Sequence, residues 1–244
     1  MSSLLEQANS KENREQFLNR LQKASGRKRH QLADHPFKPL NDLPDQLLAD
    51  KSPEELYAEA VKNSESVNAT VVEKTAAEVA DYLRQLVAKK DIQNLLLPGV
   101  DQAVWDNYGL GDWYQHSGVA TVNTWSPQAD RMTNEEYANQ ADLAVGMADY
   151  LIASTGTVTV VNSPAQGRGF NFLPTRFLAI VPKSGLVRST REAVEKYQHR
   201  FADGLATSAI TFISGPSNSG DIEMELVVGV HGPIECTYLV VADR

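Results

Sequence analysis

Between residues 68 and 99 the chain runs apolar, amphipathic, apolar, and that order leaves few folds open. Residues 68–72 read as a strand, residues 75–88 set Val79, Leu83 and Leu86 on one face of a helix, and residues 94–97 form a second apolar run that ends at Pro98-Gly99. Strand, helix, strand at this spacing is a crossover, and crossovers join parallel strands. Residues 119–122 and 142–145 add further short strands, with Thr133-Asn134-Glu135-Glu136 capping a brief helix between them. Residues 150–153 and 157–161 are separated only by Ser154-Thr155-Gly156, the length of a hairpin turn, so part of the sheet is antiparallel. The expected architecture is α/β, three layers α/β/α around a mixed, largely parallel sheet.

The segment ahead of this pattern is of another kind. Residues 10–31 carry Phe17, Leu18 and Leu21 at helical spacing in a charged background, which predicts an amphipathic helix fraying in the basic run Gly26-Arg27-Lys28-Arg29-His30. Residues 1–32 hold seven basic side chains against three acidic ones, net +4, so with −8 for the whole chain the remainder is −12. Pro36, Pro39 and Pro44 make residues 35–45 an extended connection. The expected division is a basic helical arm with a proline-containing linker over residues 1–45 and an α/β domain over residues 46–244. Ser52-Pro53-Glu54-Glu55 then opens a helix that ends near Asn63, with serine as cap and proline in the first turn.

Charge and composition exclude several functions. A net charge of −8 argues against a general nucleic-acid or membrane-surface binder, since both need a basic face to meet phosphate. No run of about 18 apolar residues is present, and the first residues lack a basic stretch followed by an apolar one, so the expectation is a cytoplasmic protein without membrane insertion. Cys236 is the single cysteine, which rules out an internal disulfide and a self-held iron-sulfur cluster of four thiolates. Cys236 itself reads as a small buried hydrophobe next to a strand.

Candidate site chemistry gathers in three loops. The first is Ser154-Thr155-Gly156-Thr157, whose hydroxyls either cap a turn that needs positive φ at Gly156 or line a substrate shelf. The second is the polar stretch Asn162-Ser163-Pro164-Ala165-Gln166-Gly167-Arg168-Gly169, where small residues bring backbone close to an anion and the Arg168 guanidinium grips it. The third runs from Ser214-Gly215-Pro216-Ser217-Asn218-Ser219-Gly220 through Asp221, Ile222 and Glu223 to Gly229-Val230-His231-Gly232-Pro233. It follows the apolar residues 209–213, read as a buried strand, and its Gly-Pro-Ser turn is expected to open a helix whose free N–H groups hold an anion. Residues 226–230 read as a second buried segment that presents His231 at its end, followed by a strand over 238–241. Thr155, Gly156, Thr157, Gly167, Arg168, Gly169, Ser217, Ser219 and Gly232 are the expected ligand-binding residues, and His231, Glu223 and Asp221 the catalytic candidates. On a helix Asp221 and Glu225 share a face, either as metal ligands with His231 or, more simply, as acids at a helix N-terminus. No metal is expected. The Gly109-Leu110-Gly111-Asp112-Trp113-Tyr114 stretch lacks a third glycine and a preceding strand, so it reads as a turn, with Trp105, Tyr108, Trp113 and Trp125 clustered around it.

Three blocks in order carry a family resemblance: Ala148-Asp149-Tyr150-Leu151-Ile152-Ala153-Ser154-Thr155-Gly156-Thr157, Gly167-Arg168-Gly169 through Leu173-Pro174, and residues 215–233. Together they resemble the LUD domain family, most closely its lactate-utilization protein C branch, over most of the chain after about residue 50. The resemblance implies a fold similar to the NagB/RpiA/CoA-transferase group. It also implies a cytoplasmic bacterial protein needed to oxidise L-lactate to pyruvate, beside two iron-sulfur partner proteins that hold the clusters, with no cofactor on this chain itself. The family usually has Glu where this chain has Ser154, and often a basic residue where it has Asn218; each departure removes a charge. Anion binding in the third block would then rest on backbone N–H groups and hydroxyls. The expected function is an accessory subunit of the lactate-oxidising system that binds a small anionic ligand. The alternatives are a stand-alone acyl- or CoA-transferring enzyme with His231 and Glu223 as acid and base, or a non-catalytic scaffold.

Overall fold

The computed structural model describes residues 8, 10–30, 34, 38, 40–111, 113–222 and 225–244, and the side chains of 221–226 lie outside that description. Contacts divide the chain into two units, Met1–Asp42 and Leu43–Arg244.

In the first unit α1 (Lys11–Ser25) starts where the Ser10 side chain accepts from Asn13 N–H at 3.2 Å and stops at Gly26, whose left-handed φ of 66° suits glycine alone. The basic run does not continue the helix. Arg29 instead folds back on Glu15 at 2.6 Å. Phe17 and Leu21 are exposed, so the stripe that marked this helix as amphipathic covers no core.

The second unit begins with α2 (Leu43–Gln46), a single turn that accommodates Pro44 because a first-turn proline forfeits no helical hydrogen bond. That corrects the expectation of extended chain through Pro44; residues 35–37 and 39 lie outside the described residues. α3 (Pro53–Ser66) has the full capping box, Ser52 with Glu55. It leads through β1 (Ala69–Lys74), α4 (Ala76–Lys89) and β2 (Asn94–Pro98) to the short α5 (Gln102–Asn107). β3 (Thr121–Trp125), α6 (Arg131–Gln140) and β4 (Leu143–Met147) follow. The cap of α6 is Asp130, which accepts from Thr133 N–H at 2.8 Å, three residues before the expected one. β5 (Tyr150–Ile152), β6 (Thr157–Val161), α7 (Arg168–Phe172), β7 (Arg176–Pro182), β8 (Leu186–Val187) and α8 (Thr190–Ala202) come next. β9 (Ile210–Ile213), β10 (Asn218–Ile222), β11 (Glu225–Val228) and β12 (Glu235–Val241) complete the chain.

The strands form three sheets. Six run parallel in the order β1-β12-β7-β4-β2-β3, the large parallel sheet the crossover pattern demanded. The hairpin strands join a separate four-stranded sheet, β8-β5-β6-β9, with β5 and β6 antiparallel and β5 and β8 parallel. The antiparallel share is thus a layer of its own. One face of the parallel sheet buries Leu95, Leu97, Val145, Leu178, Ile180 and Leu239 under Val79, Leu83 and Val87 of α4, with Trp105 and Trp113 closing the corner. Trp125 belongs to the other face, edge-on to Phe170, which separates it from the aromatic cluster the sequence suggested. On that second face Phe177, Ala179, Tyr238 and Val240 meet α7, Ala138 of α6 and Ala141 just after it, and Leu151, Val158 and Val160 of the smaller sheet. α8 then covers the far side of that sheet through Ala193. Connections after β1 and β2 cross the first face and those after β3 and β4 the second, so loops diverge around the carboxyl end of β2, where an open α/β sheet leaves a crevice.

Candidate functional site

The second loop is built over that crevice. Gly99 N–H donates to Ala165 C=O at 2.9 Å, and the Gln166 amide brackets Met147, accepting from its N–H at 2.9 Å and donating to its C=O at 3.1 Å. Gln166 also donates to Asn171 Oδ1, Asn171 to Asn162 Oδ1, and Asn162 to Thr211 Oγ1 at 2.7 Å. These three amides are buried, and a buried amide left unpaired is costly, so the string fixes the loop rather than waiting for a ligand. The glycines serve packing as well. A Cβ on Gly167 would stand 2.5 Å from Cζ2 of Trp125 and one on Gly169 3.2 Å from its Cη2, so the indole fills the space that was expected to admit an anion to the backbone. Arg168 is different: it is exposed and, among the described residues, in no ion pair. It overhangs a cavity of about 580 Å³ lined also by Asn162, Ser163, Gly167, Thr207 and Ser208.

The first loop turns inward. Gly156 has φ of 59°, and a Cβ there would lie 2.2 Å from Ser64 N of α3, so the turn is pressed against the helix, which Asn63 secures by donating to Ala153 C=O at 2.8 Å. Thr155 donates to Thr157 Oγ1 at 2.8 Å, and Thr157, buried, shares a hydrogen bond with Ser214 Oγ at 2.7 Å. Its hydroxyls brace the third loop instead of forming an open shelf.

The third loop overturns the helix expectation. Residues 218–222 are strand β10, paired antiparallel with β11, so no helix N-terminus points at Ser217 and the helical face proposed for Asp221 and Glu225 does not exist. Residues 226–230 are not a buried segment either, since Val228 and Val230 are 42% and 41% exposed. β9 is an edge strand, buried fully only at Ile213. The cause is local: Gly and Ser break the apolar alternation where a hairpin needs turn residues, which from sequence looks the same as a helix cap. The side chains of Asp221, Glu223 and Glu225 lie outside the described residues. Gly215 has φ of 73° and its absent Cβ would sit 1.9 Å from Val67 C=O. The Tyr238 hydroxyl locks the same corner, accepting from Gly215 N–H at 2.7 Å and donating to Ile213 C=O at 2.8 Å. Burial pushes that hydroxyl far above its ordinary range, so it stays a donor at any physiological pH. Ser217 Oγ accepts from His231 N–H at 3.3 Å, and Gly232 packs on Ser217, while Ser219 lies opposite Val227 in the hairpin. His231 is exposed. Ser217, His231 and Gly232 line a second cavity, of about 320 Å³, floored by Phe177, Ile213 and Cys236. Burial raises the Cys236 thiol to about 12, which keeps it protonated and inert. Arg168 and Ser217 therefore line two different cavities, joined through the wall by the Asn162–Asn171 contact.

Sequence reasoning missed one polar group. Asp149 pairs with Arg200 at 2.6 Å, accepts from the Tyr197 hydroxyl at 3.2 Å and from Val161 N–H at 3.1 Å, while Tyr197 also meets Thr159 Oγ1 at 2.7 Å. Burial, then the Asp149 charge, lifts the Tyr197 hydroxyl far above its usual range. The network ties α8 to the smaller sheet. Its only signal in the sequence was a lone acid in the first block, with partners some fifty residues away.

Among the described residues no helix is long and apolar enough to cross a membrane, and no three His, Cys, Asp or Glu side chains are grouped to hold a metal ion. Residues 57–241 match the LUD domain model. The chain is 39% identical over 202 residues to lactate utilization protein C of Geobacillus kaustophilus (strain HTA426), covering 81% of this chain and 83% of that one. It is 32% identical to lactate utilization protein C 1 of Bacillus mycoides (strain KBAB4) over 96% of this chain and 98% of the relative. A crystal structure of a DUF162 family protein from Deinococcus radiodurans superposes with a TM-score of 0.56 at 18% identity, covering 79% of this chain and 99% of that chain, a likeness of fold. Three loop motifs in family order, an α/β core around a parallel sheet and relatives aligned over most of their length agree: the chain belongs to the LUD domain family.

Proposed function

We propose that this chain works in bacterial lactate utilization as a component without a redox centre of its own. In this reading it binds a small carboxylate, lactate or pyruvate, in the Arg168 cavity, while two iron-sulfur partner proteins carry the electrons. What carries the assignment to lactate utilization is the extent of similarity to proteins named for it, up to 98% of a relative's length. The division of labour rests on Cys236, the one cysteine, buried and protonated where a cluster needs four thiolates. The ligand class rests on Arg168. Its guanidinium lines a cavity between the end of β6 and the start of β9 and offers a planar fork that matches a carboxylate. Asn162 and Gln166 hold the loop beneath it, so the chain's own contribution is to orient the bound acid. The basic α1 unit, with Phe17 and Leu21 exposed, supplies a docking element for the partners.

The test is genetic and biochemical. A strain lacking this protein should lose growth on L-lactate, the intact chain should restore it, and Arg168→Ala should restore it poorly while being produced at normal levels. Stoichiometric iron and sulfide on the chain purified alone, without oxygen, would overturn the division of labour. Growth restored fully by Arg168→Ala would overturn the ligand assignment.

A further inference from the structure

The 320 Å³ cavity under the third loop is chemically unlike the one beneath Arg168. Phe177, Ile213 and Cys236 form its floor, and Phe172, Phe212 and Pro216 its walls. Phe172, 40% exposed, borders this concavity. Polar groups sit toward the mouth: the hydroxyls of Ser214 and Ser217 and the imidazole of His231. The walls are built rigidly. Gly215 backs onto Val67, the buried Tyr238 hydroxyl clamps the corner at residues 213–215, and Thr157 fixes Ser214 from behind. Cation chemistry is missing. From Phe201 to Asp243 the sequence has Asp203, Asp221, Glu223, Glu225, Glu235 and Asp243 and no lysine or arginine, while Arg176, just before Phe177, is already paired with Glu235. No lysine or arginine lines the cavity.

We propose that this cavity is a second binding site, for a neutral ligand with a ring-sized apolar body and one or two polar atoms that meet Ser217, Ser214 and His231 at the mouth. Size sets the class. A cavity of about 320 Å³ with Phe177, Ile213 and Cys236 in its floor has room for a fused bicyclic ring or a short branched acyl group. The proposal does not depend on the Arg168 reading and is tested with different probes.

The experiment is a titration of the full-length protein, labelled with 15N and at isoleucine methyls, with 2-naphthol and separately with the 2-naphthoate anion. Saturable shifts with 2-naphthol at the Ile213 methyl and the Ser217 and Cys236 amides are expected, with 2-naphthoate at least tenfold weaker. Arg168→Ala should leave the binding of 2-naphthol unchanged. Three results would each overturn the site: no saturable shift, shifts centred on Ala206 to Ser208, or equal affinity for 2-naphthoate. The first of them would leave the apolar rim as a surface for a protein partner.

Discussion

The second and third loops read alike in the sequence, small residues and glycines after an apolar run, yet they make opposite sites. In the second, Trp125 fills the space beside Gly167 and Gly169, three buried amides knot the backbone, and a single cation, Arg168, lines the cavity. In the third, Gly215 and Gly229 have φ of 73° and 84° and press on Val67 and Ile234, so the glycines shape a hairpin and leave a hollow of mixed lining with no lysine or arginine. Glycine in a loop reports that something approaches closely. What approaches, here an indole or a backbone carbonyl, has to come from elsewhere.

The largest effect that separates the two loops is expected from Gly215→Ala. A side chain there adopts a left-handed backbone and collides with a carbonyl, so urea unfolding should show a loss on the order of 3 kcal/mol or more. Gly220→Ala, in the same loop with open space around it, is the control and should cost little. If both are equally mild, the hairpin corner is not braced as described. Gly167→Ala comes next. Its φ of −74° suits alanine, so only the clash with Trp125 remains, and the expected loss is about 2 kcal/mol with a change in tryptophan fluorescence. Unchanged fluorescence would mean that the indole is not where the packing puts it.

Tyr238→Phe tests the clamp at residues 213–215 alone. It strands Gly215 N–H and Ile213 C=O, a cost of about 1–2 kcal/mol, and amide exchange at Gly215 should speed up far more than at Gly167. Equal acceleration at both would join the two loops into one unit.

The smallest effect concerns the ion cluster at the start of β12, where Lys90 and Arg176 meet Glu235. Burial alone would raise the Glu235 carboxyl, but Lys90 at 2.7 Å and Arg176 hold it below its usual 4.5. A depressed carboxyl stabilises the fold above its unfolded pKa, and that contribution fades as pH falls through the folded value. Glu235→Gln should therefore lower stability slightly at neutral pH and flatten the decline below about pH 4.5, leaving the alkaline limb unchanged. An unchanged acid limb would make the cluster decorative.

Much of the fold was legible because periodicity reports which face is buried. The crossover at residues 68–99, the cap Ser52 and the turn at Gly156 all emerge where expected, since each is local. The separation into three sheets was not legible. Which strands pair is decided by long-range registers such as Cys236 with both Ala69 and Phe177, and short apolar runs look alike whichever sheet they join. Of the candidate site, Arg168, Ser217, Gly232 and His231 do line cavities, but Thr155 and Thr157 lie behind a wall and the anion-holding helix end was a strand. The Asp149 network was invisible for the same reason as the registers: its partners are neighbours only after folding.

The most direct measurement of the difference between the two loops is a 15N titration of the full chain with pyruvate. Binding should move the amides of Gly167, Arg168, Thr207 and Ser208 and leave Ser217 and His231 in place, and Arg168→Ala should weaken it by about 1.5–3 kcal/mol with the melting temperature of the free protein nearly unchanged. Shifts centred on Ser217 and His231 that survive Arg168→Ala would contradict the account.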